Sequence, residues 1–181
     1  DANTVFLMHL DEENGKPKDS STYGNHGTNY GAVPTKDGKF GSAMYFNGHA
    51  YIDCGNPEDK SLDLGKKSFT IELWIKRAST DKTEILLAKR TNTAPRNKGY
   101  LIGITKINIV FLSISDGKNT FEINGGNITD SNWHHLVFIV DRETPENSTI
   151  YIDGKETISP KSKKARIELR NVGSIDSKSH L

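Results

Sequence analysis

Trp133-His134-His135-Leu136-Val137-Phe138-Ile139-Val140-Asp141 and, a short way on, Ile150-Tyr151-Ile152-Asp153-Gly154-Lys155 decide how this chain folds. Successive residues of a strand point to opposite faces, so Trp133, His135, Val137 and Ile139 fall on one side and His134, Leu136, Phe138 and Val140 on the other. Both sides are largely apolar, which places the strand inside a sheet. Asp153-Gly154 supplies two residues that tolerate a positive φ, the need of a type I′ turn, and Lys155-Glu156-Thr157-Ile158 returns beside it. The pair reads as a hairpin of an all-β, two-sheet antiparallel sandwich.

The same pattern runs through the chain. Strand-like stretches fall at about residues 4–10, 27–33, 40–46, 50–53, 68–77, 83–90, 99–104, 107–115, 119–124, 132–141, 148–153, 155–158 and 166–172. No long window carries a period of 3.6, so very little helix is expected. Phe69, Ile71, Leu73 and Ile75 alternate with Thr70, Glu72, Trp74 and Lys76, which sends the first set to the core and leaves a mixed polar and aromatic second face. Ile107 to Ser115 is apolar on both sides, a strand covered twice, and Asp116-Gly117 makes its turn. Residues 11–24, 56–67 and 91–98 are polar stretches with Gly or Pro, which reads as rim loops on a single domain spanning residues 1–181.

Lys39-Phe40-Gly41-Ser42-Ala43-Met44-Tyr45-Phe46-Asn47-Gly48, Ala50-Tyr51-Ile52-Asp53 and Ser68-Phe69-Thr70-Ile71-Glu72-Leu73-Trp74-Ile75-Lys76 precede the Trp-His-His strand and the Tyr-Ile-Asp-Gly-Lys turn. In that order, with His9-Leu10-Asp11-Glu12 and residues 19–28 ahead of them, these segments resemble the laminin G-like, concanavalin A-like jelly-roll domains. The resemblance covers nearly the whole chain. It implies a lectin-like sandwich, and it departs at the end. In that family the stretch resembling Val172-Gly173-Ser174-Ile175-Asp176 is followed by a last strand with an Ile-Asp-Glu-like segment. Here the sequence stops at Leu181, so that strand is expected to be missing or supplied by another segment or chain, with an edge open to strand addition.

Composition narrows the partners. For 181 residues with a formal charge of +1, nothing calls for nucleic acid or an anionic membrane. The basic cluster Lys161-Ser162-Lys163-Lys164-Ala165-Arg166 reads as a solvated turn, since nucleic-acid readers add a wider field and aromatic platforms. No apolar run approaches the ~20 residues of a membrane span. The start at Asp1, with no basic and apolar leader, reads as a piece processed or cut from a larger protein. One cysteine, Cys54, allows no internal disulfide, and its plain reading is a small buried hydrophobe. The sequons Asn127-Ile128-Thr129 and Asn147-Ser148-Thr149 would lie in surface loops of a secreted eukaryotic protein.

Two kinds of site are worth naming. The resemblance implies a structural Ca²⁺ near residues 19–28, with Asp19, Asn25 and the carbonyl of Thr28 as ligands. The other reading of that loop is an Asx-turn in which Asp19 and Asn25 bond their own backbone. The second site is for sugar, which needs an aromatic plane ringed by fixed polar groups. Trp74, Tyr100, Tyr23 and Tyr30 offer planes, and Glu72, Lys76, Lys89, Arg90, Arg96 and Asn97 the polar groups. Trp74, Glu72, Tyr100 and Arg96 are the ligand-binding nominees, although Trp74 and Trp133 also fall where that family packs its scaffold.

Catalysis is expected least. No strand carries carboxylates two residues apart on one face as jelly-roll glycosidases do. His134 and His135 point to opposite faces and cannot share a metal, so one ring is expected to be a satisfied core histidine. The chain therefore reads as a non-catalytic carbohydrate-binding or adhesion module of a larger extracellular, cell-surface or virion protein, its partner a glycan or cell-surface ligand. The rival is a structural or protein-interaction domain without a sugar site. An exposed aromatic beside polar groups separates the first from the second.

Overall fold

A computed structural model describes residues 2–78, 81–91, 97–158 and 168–181. They form two compact units, Asp1–Leu62 with Ser179–Leu181, and Asp63–Lys178, each taken by itself below.

In the first unit, β1 (Thr28–Tyr30), β2 (Val33–Thr35), β3 (Ala43–Tyr45) and β4 (Tyr51–Asp53) make two small antiparallel pairs, β1 with β4 and β2 with β3. The single strand expected at 27–33 is two strands. Gly31 turns the chain at φ +87°, and the Asn29 side chain locks the turn by donating to the Ala32 and Gly15 carbonyls while accepting from the Ala32 N–H. The strand expected at 4–10 shrinks to one bridge, Met8 with Asp19, and Leu10 at φ +58° breaks the extended run. Residues 171–181 hold no strand, but Leu181 exchanges backbone hydrogen bonds with Cys54 and Gly55 just past β4.

The second unit holds the sandwich. Its strands are β5 (Phe69–Lys76), β6 (Glu84–Arg90), β7 (Gly99–Ile104), β8 (Ile109–Ser115), β9 (Thr120–Asn127), β10 (Trp133–Val140), β11 (Thr149–Ile152) and β12 (Lys155–Ile158). One antiparallel sheet runs β12-β11-β10-β5 and the other β6-β7-β8-β9. Among the described residues, helix is confined to a 3-10 turn at Pro145–Asn147 and one helical turn at 168–171, where a strand is expected from sequence. Leu169 and Val172, three residues apart, are both buried there, a spacing that shares one side of a helical turn but falls on opposite faces of a strand.

The expected alternation holds on both sheets. Leu136, Phe138, Val140 and Ile150 are fully buried on one, and Ile102, Ile104, Val110, Leu112 and Ile114 on the other. Each such side chain contributes about 1.5–3 kcal/mol by leaving water. Phe69 of β5 meets Tyr100 of β7 at 6.1 Å between ring centroids, which ties one sheet to the other. The reverse side of β8 is covered too, with Phe111, Ser113 and Ser115 buried. The turn after β11 has Asp153 at φ +52° and Gly154 at φ +75°, the left-handed pair its sequence calls for.

Charged side chains close the seams. Lys89 of β6 is sealed from water, its Nζ 3.0 Å from Asp63 Oδ1 and 2.6 Å from the Ser177 carbonyl it donates to. Arg77, at the end of β5, pairs with Glu84 at 2.7 Å and donates to Asn108 Oδ1 and the Ile128 carbonyl. Gly99 sits so close to the Lys89 carbonyl that a Cβ would lie 2.0 Å from it.

Lys89→Ala leaves the Asp63 carboxylate and the Ser177 carbonyl without their cation and is expected to cost about 3–5 kcal/mol in urea unfolding. The double variant Lys89→Met, Asp63→Leu is expected to recover most of it. A loss below about 1 kcal/mol for the single variant contradicts this role of the pair.

Candidate functional site

The loop at 19–28 is organised by one carboxylate. Asp19, 2% exposed, accepts at Oδ1 from the Leu7 and Ser21 N–H groups and at Oδ2 from the Asn25 N–H and the Ser21 hydroxyl, at 2.7–2.9 Å. Burial pushes its pKa up, and these four donors outweigh that and hold it below the ordinary value. Asn25 turns its amide nitrogen to the Val5 carbonyl and the Ser61 hydroxyl. Thr28 opens β1 opposite Asp53. A hard cation needs six or more oxygens converging with their lone pairs free. Here both Asp19 oxygens face N–H and O–H dipoles, so the three residues do not fit a calcium ligand set as they stand; Asp19 makes the Asx-turn through the Ser21 N–H, whereas Asn25 bonds groups far along the chain and not its own backbone. Nearby, burial pushes the Cys54 thiol up to about 12, with the charges of Asp53 and Asp19 adding to it.

The sugar nominees do not share one surface. On the outward face of the β5-β10 sheet, Trp74 is 37% exposed and stacks on His135, its cross-strand partner, with ring centroids 5.0 Å apart and planes 26° apart. Glu72 lies on the same face, its carboxylate 3.8 Å from His135 Nε2, and Lys76 follows two residues beyond Trp74. The alternation that turns Leu73 and Ile75, both half-buried, toward the core is what pushes Trp74 outward.

Tyr100 does not join them. It is 4% exposed on the inner face of β7 against Phe69, because β7 presents its even-numbered residues to the core. Lys89 is likewise consumed by Asp63 and Ser177. Arg96 lies outside the described residues. Arg90 is half-buried on the other sheet and donates to Ser113 Oγ and the Asn97 carbonyl. Burial lowers its guanidinium pKa, and Glu122 opposes that. Tyr23 and Tyr30 are exposed in the first unit, where Tyr30 stacks on Tyr51 at 4.8 Å.

The structure also assembles a group the sequence hides. His134 Nδ1 lies 2.7 Å from Asp153 Oδ2 and Nε2 lies 2.9 Å from Asp130 Oδ1, while Asp153 Oδ1 accepts from the His135 N–H. His134 is thus a satisfied histidine, as expected of one ring of the pair, but carboxylates at the strand end satisfy it rather than the core. His135 is the stacking ring. Burial lowers the His134 pKa, and the hydrogen bonds from Asp153 and Asp130 outweigh that and raise it. The signal available from sequence was the i, i+4 spacing of Asp130 and His134 at the strand's entrance.

Residues 46–171 match the laminin G-like family described as the concanavalin A-like lectin/glucanases superfamily. A curated relative, the non-toxic nonhemagglutinin of Paraclostridium bifermentans, is 27% identical over 126 residues, which are 68% of this chain and 10% of that protein. The chain therefore spans about a tenth of that relative's length. Among solved structures, the CBM40 domain of the Ruminococcus gnavus IT-sialidase bound to alpha2,6 sialyllactose aligns over 85% of this chain and 84% of its own. Its TM-score is 0.54 at 11% identity. The CBM40 domain described without that sugar gives 0.50 at 10% identity, over 85% and 83%. The fold is a concanavalin A-like, lectin-like jelly roll.

Three outcomes follow from these geometries. A raised histidine pKa stabilises fully below the unfolded value of 6.5 and the benefit is lost as pH climbs through the folded one, while the lowered values of Asp130 and Asp153 contribute above 3.8. The melting-temperature gap between wild type and His134→Gln is therefore expected to be widest between pH 4 and 6.5 and to narrow by pH 8. A gap that grows with pH contradicts the bridge. Asp19→Ala is expected to lower stability by about 2 kcal/mol through its stranded donors. Wild-type melts in excess Ca²⁺ and in EDTA should superimpose. A calcium-dependent rise of several degrees refutes the hydrogen-bonding account of Asp19.

Proposed function

The chain belongs to the concanavalin A-like lectin/glucanases superfamily, and from that premise we propose that it is a non-catalytic glycan-binding module of a larger secreted or surface protein. One observation carries the reading. Trp74 stands on an open sheet face with more than a third of its surface exposed, backed by His135 and flanked by Glu72 and Lys76. An exposed indole offers a flat apolar plane to the C–H face of a pyranose. Glu72, His135 and Lys76 supply the donors and acceptors that fix hydroxyl groups around it. The ring is held by its stack, so little side-chain freedom is lost on binding.

The neighbour's sialyllactose and the lectin-like fold support this choice of ligand class, and the much longer Paraclostridium relative supports a module within a larger chain. The mechanism is equilibrium recognition by a rigid sheet, without bond cleavage.

A second reading rests on the first unit. Phe40 is 73% exposed, Tyr45 60%, Tyr51 55% and Tyr30 48%, a concentration of open aromatic surface that suits a protein partner. The two readings separate by experiment. On a glycan array, wild type is expected to bind a defined subset of saccharides, and Trp74→Ala to lose about tenfold or more in affinity, or roughly 1.4 kcal/mol, with its melting temperature kept within a few degrees. Binding to no glycan, or full retention by the variant, moves the function to the aromatic surface of the first unit.

A further inference from the structure

At the end of the β5-β10 sheet opposite to Trp74 lies a cavity of about 270 Å³ lined by Lys66, Arg142, Arg170, Asn171, Val172 and Gly173. Three of these six are cations and none is acidic. Lys66 precedes β5, Arg142 follows β10, and Arg170 sits on the helical turn at 168–171, so three separate segments bring their charges to one place. Phe69 of β5 pairs with Val140 of β10, whereas Trp74 pairs with His135. Five residues along a strand put this cavity about 16 Å from the Trp74 surface.

Arg142 is the floor of the arrangement. Its Nη2 donates to the carbonyls of Val172 and Gly173, which fixes the guanidinium plane, and its Nη1 is buried with no hydrogen-bond partner. A buried guanidinium nitrogen that donates to nothing is unfavourable, and like charges gathered in one place repel. The neighbouring carboxylates are already engaged. Asp116 accepts from the Gly173, Lys118 and Asn119 N–H groups and acts on Arg142 only through its charge. Asp141 accepts from the Glu143 and Thr144 N–H groups and from Asn147. No ion pair among the described residues engages Lys66 or Arg170.

We propose that this cavity is a binding site for an oxyanion, a carboxylate or sulfate group, taken by Arg142 at the floor and by Lys66 and Arg170 at the rim. The planar guanidinium matches the spacing of two such oxygens, and its orientation is set in advance by Val172 and Gly173. The two rim cations add charge without geometry, as flexible surface groups do. Such a group is available as a free ion or carried on an acidic saccharide. The site does not depend on the Trp74 surface, so either can stand if the other falls.

The test is an NMR titration of the isotopically labelled chain with sulfate, glucuronate, glucose and, at matched ionic strength, chloride. Sulfate is expected to shift the Arg142 Nε–H and the Asn171 and Gly173 N–H resonances saturably, with glucose and chloride leaving them in place. Lys66→Gln with Arg170→Gln, both exposed and outside any core, is expected to weaken sulfate about five- to tenfold while the spectrum stays folded. A matching glucuronate response assigns the group to acidic saccharides, and a response to sulfate alone assigns it to free anions. Unmoved resonances with sulfate and glucuronate, an equal response to chloride, or full affinity in the double variant would overturn the proposal.

Discussion

The two-residue period of β5 and β10 is the constraint on which the sandwich depends. Once Leu136, Phe138 and Val140 are committed to the core, every odd-numbered residue of β10 must face the other way, and the cross-strand register does the same for β5. Trp74 and His135 are therefore not placed outward by a loop that can drift. They are fixed there by the burial of their own neighbours, and a slip of one residue would exchange the core for the outer surface. A recognition face built in this way inherits the rigidity of the core behind it.

Apolar faces alone leave the rims undefined, and there buried and half-buried cations take over. Lys89, Arg77 and Arg142 each reach a backbone carbonyl of a segment far away in sequence: Ser177, Ile128 and Val172 respectively. Each spends charge-assisted hydrogen bonds on loops that have no ladder of their own. Such cations are costly to bury, and what they return is position more than stability. Lys89 and Arg77 find carboxylate partners in Asp63 and Glu84. Arg142 keeps one nitrogen unpaired, which sets it apart from the other two.

Most of the sheet structure was legible in the sequence because it obeys local rules. The double apolar pattern of β10, the Asp153-Gly154 turn and the twice-covered β8 all follow from alternation and turn chemistry. Misreadings arose where a distant contact outvoted the local pattern. Residues 166–172 alternate like a strand, yet Leu169 and Val172 are buried together on a helical turn. Residues 27–33 look continuous, yet Asn29 reaches back to Gly15 and folds the chain at Gly31. The site was legible only in half. Glu72 and Trp74 share a face by their spacing of two, but nothing local says that Tyr100 turns inward toward Phe69. The Asp130-His134-Asp153 bridge needs the β10-β11 register, which pairs Leu136 with Ile152, to bring Asp153 beside the strand's entrance.

The central claim is that a sugar lies against Trp74, and tryptophan emission reports on it directly. The chain has two tryptophans. Trp74 is exposed, and Trp133 is only partly exposed, with its indole nitrogen buried. Titration with the saccharides that the array selects should therefore shift the emission to shorter wavelength, saturably, as water leaves the Trp74 ring. An emission spectrum that stays unchanged while those saccharides bind would contradict the account and place the ligand elsewhere on the chain.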